Sequence, residues 1–180
     1  MSPTRIVANP TAKFIGGYRV PMRYLPNSLT RKDKKKQMQM LLKSKQQYKS
    51  NRYYTRGKVA SYKNRKSNHI ATARKIYGVE TITPNQELAR KTGCTISALQ
   101  KIVKKGEGAY YSSGSRPNQT PQSWGLARLA SSLTAGKSAA VDYDILKNGC
   151  NHTKKSFILA NKSKRKYGFG QSSAKKTNIP

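Results

Sequence analysis

Acidic residues are scarce in this chain. Its 180 residues include 6 Asp and Glu against 37 Lys and Arg, a formal net charge of +31. Most basic side chains therefore lack an acidic partner in the chain, and an external polyanion or salt must relieve their repulsion. Nucleic acid, an anionic membrane surface and acidic protein faces would all serve. So few carboxylates also disfavour acid–base catalysis. We expect no enzyme, no catalytic residues and no small-molecule substrate.

Metal ligands and long apolar segments are scarce too. Cys94, Cys150 and two histidines are scattered singly, so the sequence predicts no metal site and no cofactor. The cysteines can form at most one bridge, and reduced thiols in a cytosolic or nuclear setting are expected. No window reaches about 18 apolar residues, and residues 1–30 contain no apolar signal segment. A soluble protein, or one held in place by partners, is therefore expected.

The pattern of helix signals predicts a mainly α fold, a small helical domain between basic extensions. Residues 1–29 contain four prolines and should form an extended arm, whose apolar residues could lie along a partner as a strand. Residues 30–80 form a basic helical segment rich in Tyr and Arg, and residues 81–150 a compact helical core. Residues 151–180 are expected to be a basic tail, flexible or ordered only by a partner.

Capping residues and glycines set the expected helix bounds. Thr30 and Asp33 form a capping-box variant at the start of the first helix, with Asp33 reaching back to the backbone. The other helices are expected at 67–77, from the Thr83–Pro84 cap to Lys91, at 96–105 with a stop at Gly106, at 121–135, and from Ser138 to Gly149. Of the side chains on these helices, Trp124 should be the largest single contributor to the core.

The two central helices have the spacing of a helix-turn-helix. Ala89 marks a close approach of the helices, Gly93 allows a tight turn, and Leu99 packs the second helix on the first. The second helix would present Gln100, Lys101 and Lys104 to phosphates or base edges. Short helical hairpins reuse this spacing without touching DNA, so a pure packing role stays open.

Basic and aromatic residues alternate between residues 51 and 68. Cations can contact phosphates while Tyr rings stack on bases, but Tyr and Arg also anchor protein interfaces. Composition alone does not separate these two interpretations. The residues singled out here for binding a partner or nucleic acid are Arg52, Tyr53, Tyr54, Arg56, Lys58, Arg65 and Lys66.

A stretch rich in Gly and Ser, residues 106–119, is expected to be a loop. It could cradle a phosphate, with Arg116 supplying positive charge. The favoured alternative is a structural connection with Tyr110 and Tyr111 packed inward. Farther on, Gly136-Lys137-Ser138 lacks the earlier glycine that a nucleotide-binding P-loop requires.

Several longer stretches resemble a known but uncharacterised family. They are Tyr24–Gln37, Arg52–Arg56, Lys91–Cys94, Lys104–Thr120 and Ser123–Ser131. As a set they are similar to a basic protein family of nucleocytoplasmic large DNA viruses that infect algae and amoebae. The resemblance spans residues 24–150 and implies a viral setting, but no catalytic residues.

In that setting two non-enzymatic roles compete. The first is a structural component of the virus particle, a minor capsid protein that bridges or tethers neighbouring capsid or virion proteins through its basic arms. The alternative is a DNA-binding protein of the virion core or of late transcription, using the helix pair. Either way the protein would be made in the host cytoplasm or nucleus and reside in the virion. Viral DNA and an anionic inner membrane are further possible partners.

Overall fold

Helices account for most of the described chain, which comprises residues 18–168, 170 and 175–178 of a computed structural model. Residues 1–17 of the expected arm lie outside it. The mainly α fold is confirmed. The elements are β1 (Arg19–Pro21), α1 (Arg31–Lys49), α2 (Asn68–Tyr77), α3 (Gln86–Thr92), α4 (Ile96–Ser112), α5 (Pro121–Leu133), α6 (Lys137–Val141), α7 (Tyr143–Gly149), α8 (Lys155–Tyr167) and β2 (Lys176–Asn178).

The main core lies around the α4–α5 pair. Its fully buried side chains include Leu99 and Ile102 of α4 and Leu129 and Leu133 of α5. Burying side chains of this size contributes about 1.5–3 kcal/mol each. The expectation for Trp124 is wrong, because that ring is only half-buried. It packs in a smaller cluster under α1, with its ring centroid 5.9 Å from that of Tyr24.

Helix α4 is longer than the sequence indicates. It continues through Gly106 to Ser112, so the expected stop and much of the expected loop are wrong. Gly106 serves close packing instead: a Cβ there would lie 2.6 Å from the Cα of Gly125 on α5. Tyr110 is fully buried, as the structural interpretation of this stretch required.

Helix starts follow the predicted capping chemistry, but at two of them a different residue makes the hydrogen bond. Asn85, rather than Thr83, caps α3, since its Oδ1 accepts a hydrogen bond from the Leu88 amide at 2.8 Å. At α1, Thr30 caps the helix as expected. Its own amide, however, donates to the hydroxyl of Ser61 rather than to Asp33. The expected last core helix is interrupted at Asp142, which separates α6 from α7.

The helix-turn-helix-like pair is present as α3 and α4. Gly93 makes the turn with a left-handed φ of 71°, and Thr95 caps α4. The last residue of α7 and the chain just after it form hydrogen bonds with this turn. The Thr95 amide donates to the Gly149 carbonyl and the Asn151 amide to the Gly93 carbonyl, both at 2.8 Å.

Cys94 and Cys150 form a disulfide across this pairing. The expectation of reduced thiols is therefore wrong. The cysteines are 56 residues apart in sequence, and only the fold brings them together: the turn before α4 and the end of α7 form a two-residue β-bridge.

The described parts of the arm and the tail pack on their own chain. Val20 of β1 is fully buried, and β1 pairs antiparallel with β2. The expectation of a tail that is flexible or ordered only by a partner is wrong between Lys155 and Tyr167, where α8 buries Ser156, Phe157, Ala160 and Ser163. Small residues on one face of a Lys-rich helix give weak apolar periodicity, which is why the sequence resembled a solvated tail.

Candidate nucleic-acid interface

An extended segment, residues 52–66, runs back along α1. Near the end of α1 the Arg52 amide donates to the Gln47 carbonyl. Midway, the Lys36 ammonium donates to the Lys58 carbonyl at 2.9 Å. The 19 residues of α1 span roughly 28 Å. One surface strip therefore carries the cations of both α1 and the extended segment.

Arg56 fastens this segment to the core. Its guanidinium donates to the Ser44 and Ser115 hydroxyls and to the Tyr110 carbonyl at 2.8–2.9 Å. It also lies 3.7 Å from the centroid of the Tyr110 ring. Burial lowers the pKa of Arg56 below its ordinary value, yet an arginine stays charged near neutrality. Arg56 is a structural residue and does not reach the surface.

Asp33 fastens the other end of the segment. Its carboxylate accepts hydrogen bonds from the Ser61 hydroxyl at 2.6 Å and the Ser61 amide at 2.7 Å. These bonds lower the pKa of Asp33. Because the Ser61 hydroxyl also accepts from the Thr30 amide, the start of α1 and the extended segment are held as one unit.

A basic groove follows one face of α4, with a cavity volume of about 680 Å³. Its cationic end carries Lys101, Lys104 and Lys105 of α4 and Arg128 of α5. Farther along α4 its lining residues are small, from Gly108 through Ala109 to Ser112, and Tyr48 of α1 and Ile145 of α7 complete it. Small side chains leave room for a ligand to lie close to this part of the helix, and the lysines continue the same face toward the start of α4.

Asp142 lies buried beside this groove and orders two of its cations. Both its oxygens accept from the Arg128 guanidinium at 2.8 Å, and the Lys105 ammonium lies 2.8 Å from one of them. Burial would raise the pKa of Asp142, but the bonds and charges of Arg128 and Lys105 outweigh it, so the pKa falls below its ordinary value. Lys101 and Lys104 have no acidic partner among the described residues.

Three tyrosines form an aromatic cluster at the other end of the groove. Tyr48, which lines the groove, stacks parallel to Tyr111 with their ring centroids 6.4 Å apart. Tyr53 meets both rings edge-on, at 6.1 Å and 5.1 Å. It remains 68% exposed. An exposed aromatic side chain thus lies at the end of the groove that is opposite its lysines.

A second cationic pocket, about 540 Å³, lies near the start of α1. Four cations line it: Arg23, Lys63, Arg65 and Arg116. Tyr62 and Ser61 line it as well, and the Asp33 carboxylate bound to Ser61 stands beside it. The pocket and the groove lie toward opposite ends of α1, so the two cationic sites flank the strip between them.

The residues singled out from the sequence are divided between these places. Lys101 and Lys104 meet in the groove, and Arg65 and Arg116 meet in the pocket. The expectation that Arg56 binds a partner or nucleic acid is wrong, because its side chain is buried. The others lie on the surface but line neither site: Arg52, Lys58, Lys66 and Gln100 are exposed, Tyr53 stands in the aromatic cluster, and Tyr54 lies half-buried under the Lys43 ammonium.

Sequence reasoning missed several lining residues. Tyr48 lines the groove but is absent from the residues that the sequence singled out. Lys105 follows Lys101 by four residues, so helical spacing could have placed both on one face. No local signal identifies Arg128 or Arg23, which reach these sites only through tertiary packing.

Comparison with known proteins gives a family but no activity. A family model matches residues 21–149, most of the chain, and describes a family of unknown function, DUF5824. The chain belongs to DUF5824. The DUF5824 match includes α1, the extended segment and the whole groove, and ends just before Cys150 and α8. No curated protein and no solved structure matches the chain.

Clusters of metal ligands and membrane-spanning helices are both absent from the described residues. No group of three or more His, Cys, Asp or Glu side chains there could hold a metal ion. None of the helices in residues 18–168 is long and apolar enough to cross a membrane.

Proposed function

We propose that this protein is a non-enzymatic nucleic-acid-binding protein that contacts the phosphate backbone through the groove along α4. The observation that carries the proposal is the arrangement of Lys101 and Lys104. They are exposed, share one helix face and have no acidic partner in the described chain. Two neighbouring cations, Lys105 and Arg128, are oriented by Asp142.

The charge distribution supports a polyanion as the ligand. The groove has four cationic side chains against the single carboxylate of Asp142, and the pocket near the start of α1 has four more. Phosphate contacts of this kind position a nucleic acid without reading its sequence. The ligand would follow the groove, with the α1 strip and the pocket extending its path.

The proposal places the DNA-binding alternative ahead of the capsid role expected first. Capsid tethering needs arms that extend to neighbouring subunits. In the described chain, β1, β2 and α8 instead pack on the same molecule. Because β1, β2 and α8 pack on their own chain, they give no support to tethering. The groove along α4, in contrast, offers a cationic surface for a nucleic acid.

Binding to labelled oligonucleotides at increasing salt tests the proposal. Each phosphate neutralised should contribute about −0.9 to the slope of log K against log salt for duplex DNA, and about −0.7 for single strands. A slope of magnitude about 3 or more is expected from four groove cations. Binding that is absent, or insensitive to salt, would contradict the proposal. The same binding measurement with anionic lipid vesicles tests a membrane surface as the alternative polyanion. Tighter binding to the vesicles than to the oligonucleotides would contradict the proposal.

A structural role in a virus particle is the second candidate, supported by two exposed apolar side chains. Val141 of α6 and Ile158 of α8 are 42% and 54% exposed, on helices that contact each other. Exposed apolar side chains of this size can contact a protein neighbour. In the viral setting that the sequence motifs suggest, particle fractionation separates the two roles. Recovery with the released genome supports nucleic-acid binding, and recovery with emptied shells supports the structural role.

A further inference from the structure

We infer that the groove accepts a single strand of nucleic acid and that Tyr53 stacks on an unpaired base. This inference rests on the proposed function and deepens it by naming the form of the ligand. The observation behind it is the junction of two surfaces. The lysine-lined face of α4 leads to the aromatic cluster formed by Tyr48, Tyr53 and Tyr111.

The order of residues along α4 matches the two parts of a nucleotide that a protein can contact, its phosphate and its base. Lys101 to Ser112 span eleven residue steps, roughly 16 Å along the helix axis. The first turns carry the lysines and the later turns the small residues. A strand lying along this face would place phosphates near the lysines and bring a base to Tyr53.

The exposure of Tyr53 favours an unpaired base over a duplex as the ligand. Tyr53 is 68% exposed, and its ring contacts Tyr48 and Tyr111 in edge-type geometry. Aromatic rings on single-strand-binding proteins stack on bases without regard to base identity. In a duplex, neighbouring base pairs cover the base faces, so the ring would have no face to stack on unless a base were flipped out.

Tyr53 also suits this role because it contributes little to the fold. It belongs to none of the buried clusters. Its neighbour in sequence, Tyr54, packs instead against the cluster around Val59 and Met40. Replacing Tyr53 should therefore change binding without unfolding the protein.

The test measures fluorescence anisotropy of the full chain with a labelled 12-nucleotide thymidine strand and a 12-base-pair duplex at the same salt concentration. The inference predicts tighter binding to the single strand. Tyr53→Ala should weaken single-strand binding about tenfold and leave duplex binding unchanged. Tyr53→Trp should restore single-strand binding, because a stacking face returns. Tyr167→Ala, outside the groove, is the matched control and should change neither.

The possible results distinguish the inference from the function it rests on. Equal or tighter duplex binding, with no effect of Tyr53→Ala, would overturn the single-strand inference and leave nucleic-acid binding standing. Failure of both ligands to bind would overturn both. Loss of single-strand affinity in Tyr53→Ala that Tyr53→Trp does not recover would also overturn the stacking role.

Discussion

Gly106 of α4 and Gly125 of α5 meet backbone to backbone. A Cβ on Gly106 would lie 2.6 Å from the Gly125 Cα, and one on Gly125 would lie 2.8 Å from the Val103 carbonyl oxygen. Gly106→Ala should therefore force the helices apart and lower the free energy of unfolding by about 2 kcal/mol. Urea denaturation measures this change.

Gly108, two residues farther along α4, is the matched control for Gly106. A Cβ there would meet only the Tyr48 hydroxyl, at 3.8 Å. Gly108→Ala should raise the free energy of unfolding by about 0.5–1 kcal/mol, because alanine loses less conformational entropy in a helix. Equal effects of the two variants would contradict the close crossing.

Arg56 is predicted to act in stability rather than in binding. Arg56→Met removes the donors to Ser44, Ser115 and Tyr110 and should cost about 3 kcal/mol of unfolding free energy. Arg56→Lys should recover little, since an ammonium cannot reproduce the planar fork. The control is Arg52→Met, because Arg52 is exposed on the same segment. Its free energy of unfolding should stay within about 0.5 kcal/mol of the wild-type value. A stable Arg56→Met variant with lost binding would reverse this assignment.

Asp142 is predicted to make stability depend on pH in the acid range. Its folded pKa lies below the ordinary value of 3.8, so its stabilising effect is complete above the unfolded pKa and is lost as pH falls through the folded pKa. Asp142→Asn should lower the free energy of unfolding by about 3 kcal/mol at neutral pH. It should also flatten the pH dependence below about pH 4–5.

The control for Asp142 is Asp144, which is exposed. Asp144→Asn should change stability by less than about 0.5 kcal/mol and keep the acid dependence. Thermal melts from pH 7 down to pH 2 compare the variants. An Asp142→Asn profile parallel to the wild type would show that the Arg128 and Lys105 pairs do not act as described.

The disulfide predicts sensitivity to reduction. Closing a loop across 56 residues removes unfolded-state entropy equivalent to about 4 kcal/mol in the chain-entropy account. The double variant Cys94→Ser, Cys150→Ser should lose stability of this order, and a thiol reductant should lower the melting temperature of the wild type alone. A free-thiol assay on the denatured, unreduced protein should find no thiol. Two titratable thiols would contradict the bridge.

Local signals in the sequence were enough to predict most helices. Thr95 and Thr120 cap α4 and α5 at the predicted starts of these helices, and Gly78 and Gly93 end helices in left-handed conformations. These features depend on neighbours within four residues. The extent of α4 could not be predicted this way, because Gly106 has the same local meaning whether it ends a helix or contacts another one.

The candidate site was only partly visible in the sequence. Helical spacing placed Lys101 and Lys104 on one exposed face, and composition singled out Tyr53. The burial of Arg56 was not visible, because it depends on acceptors from α1, α4 and the stretch after α4. The same holds for Tyr48 and Arg128, which the packing of α1 and α5 on α4 brings to the groove.

The most direct test of nucleic-acid binding is the salt dependence of oligonucleotide affinity in the double variant Lys101→Ala, Lys104→Ala. The charge-matched control is Arg74→Ala, Lys75→Ala, on exposed positions of α2 away from the groove. Losing two phosphate contacts should reduce the magnitude of the log–log slope by about 1.8 on duplex DNA, or about 1.4 on a single strand. The control should keep the wild-type slope. A groove variant with unchanged affinity and slope would contradict binding along α4.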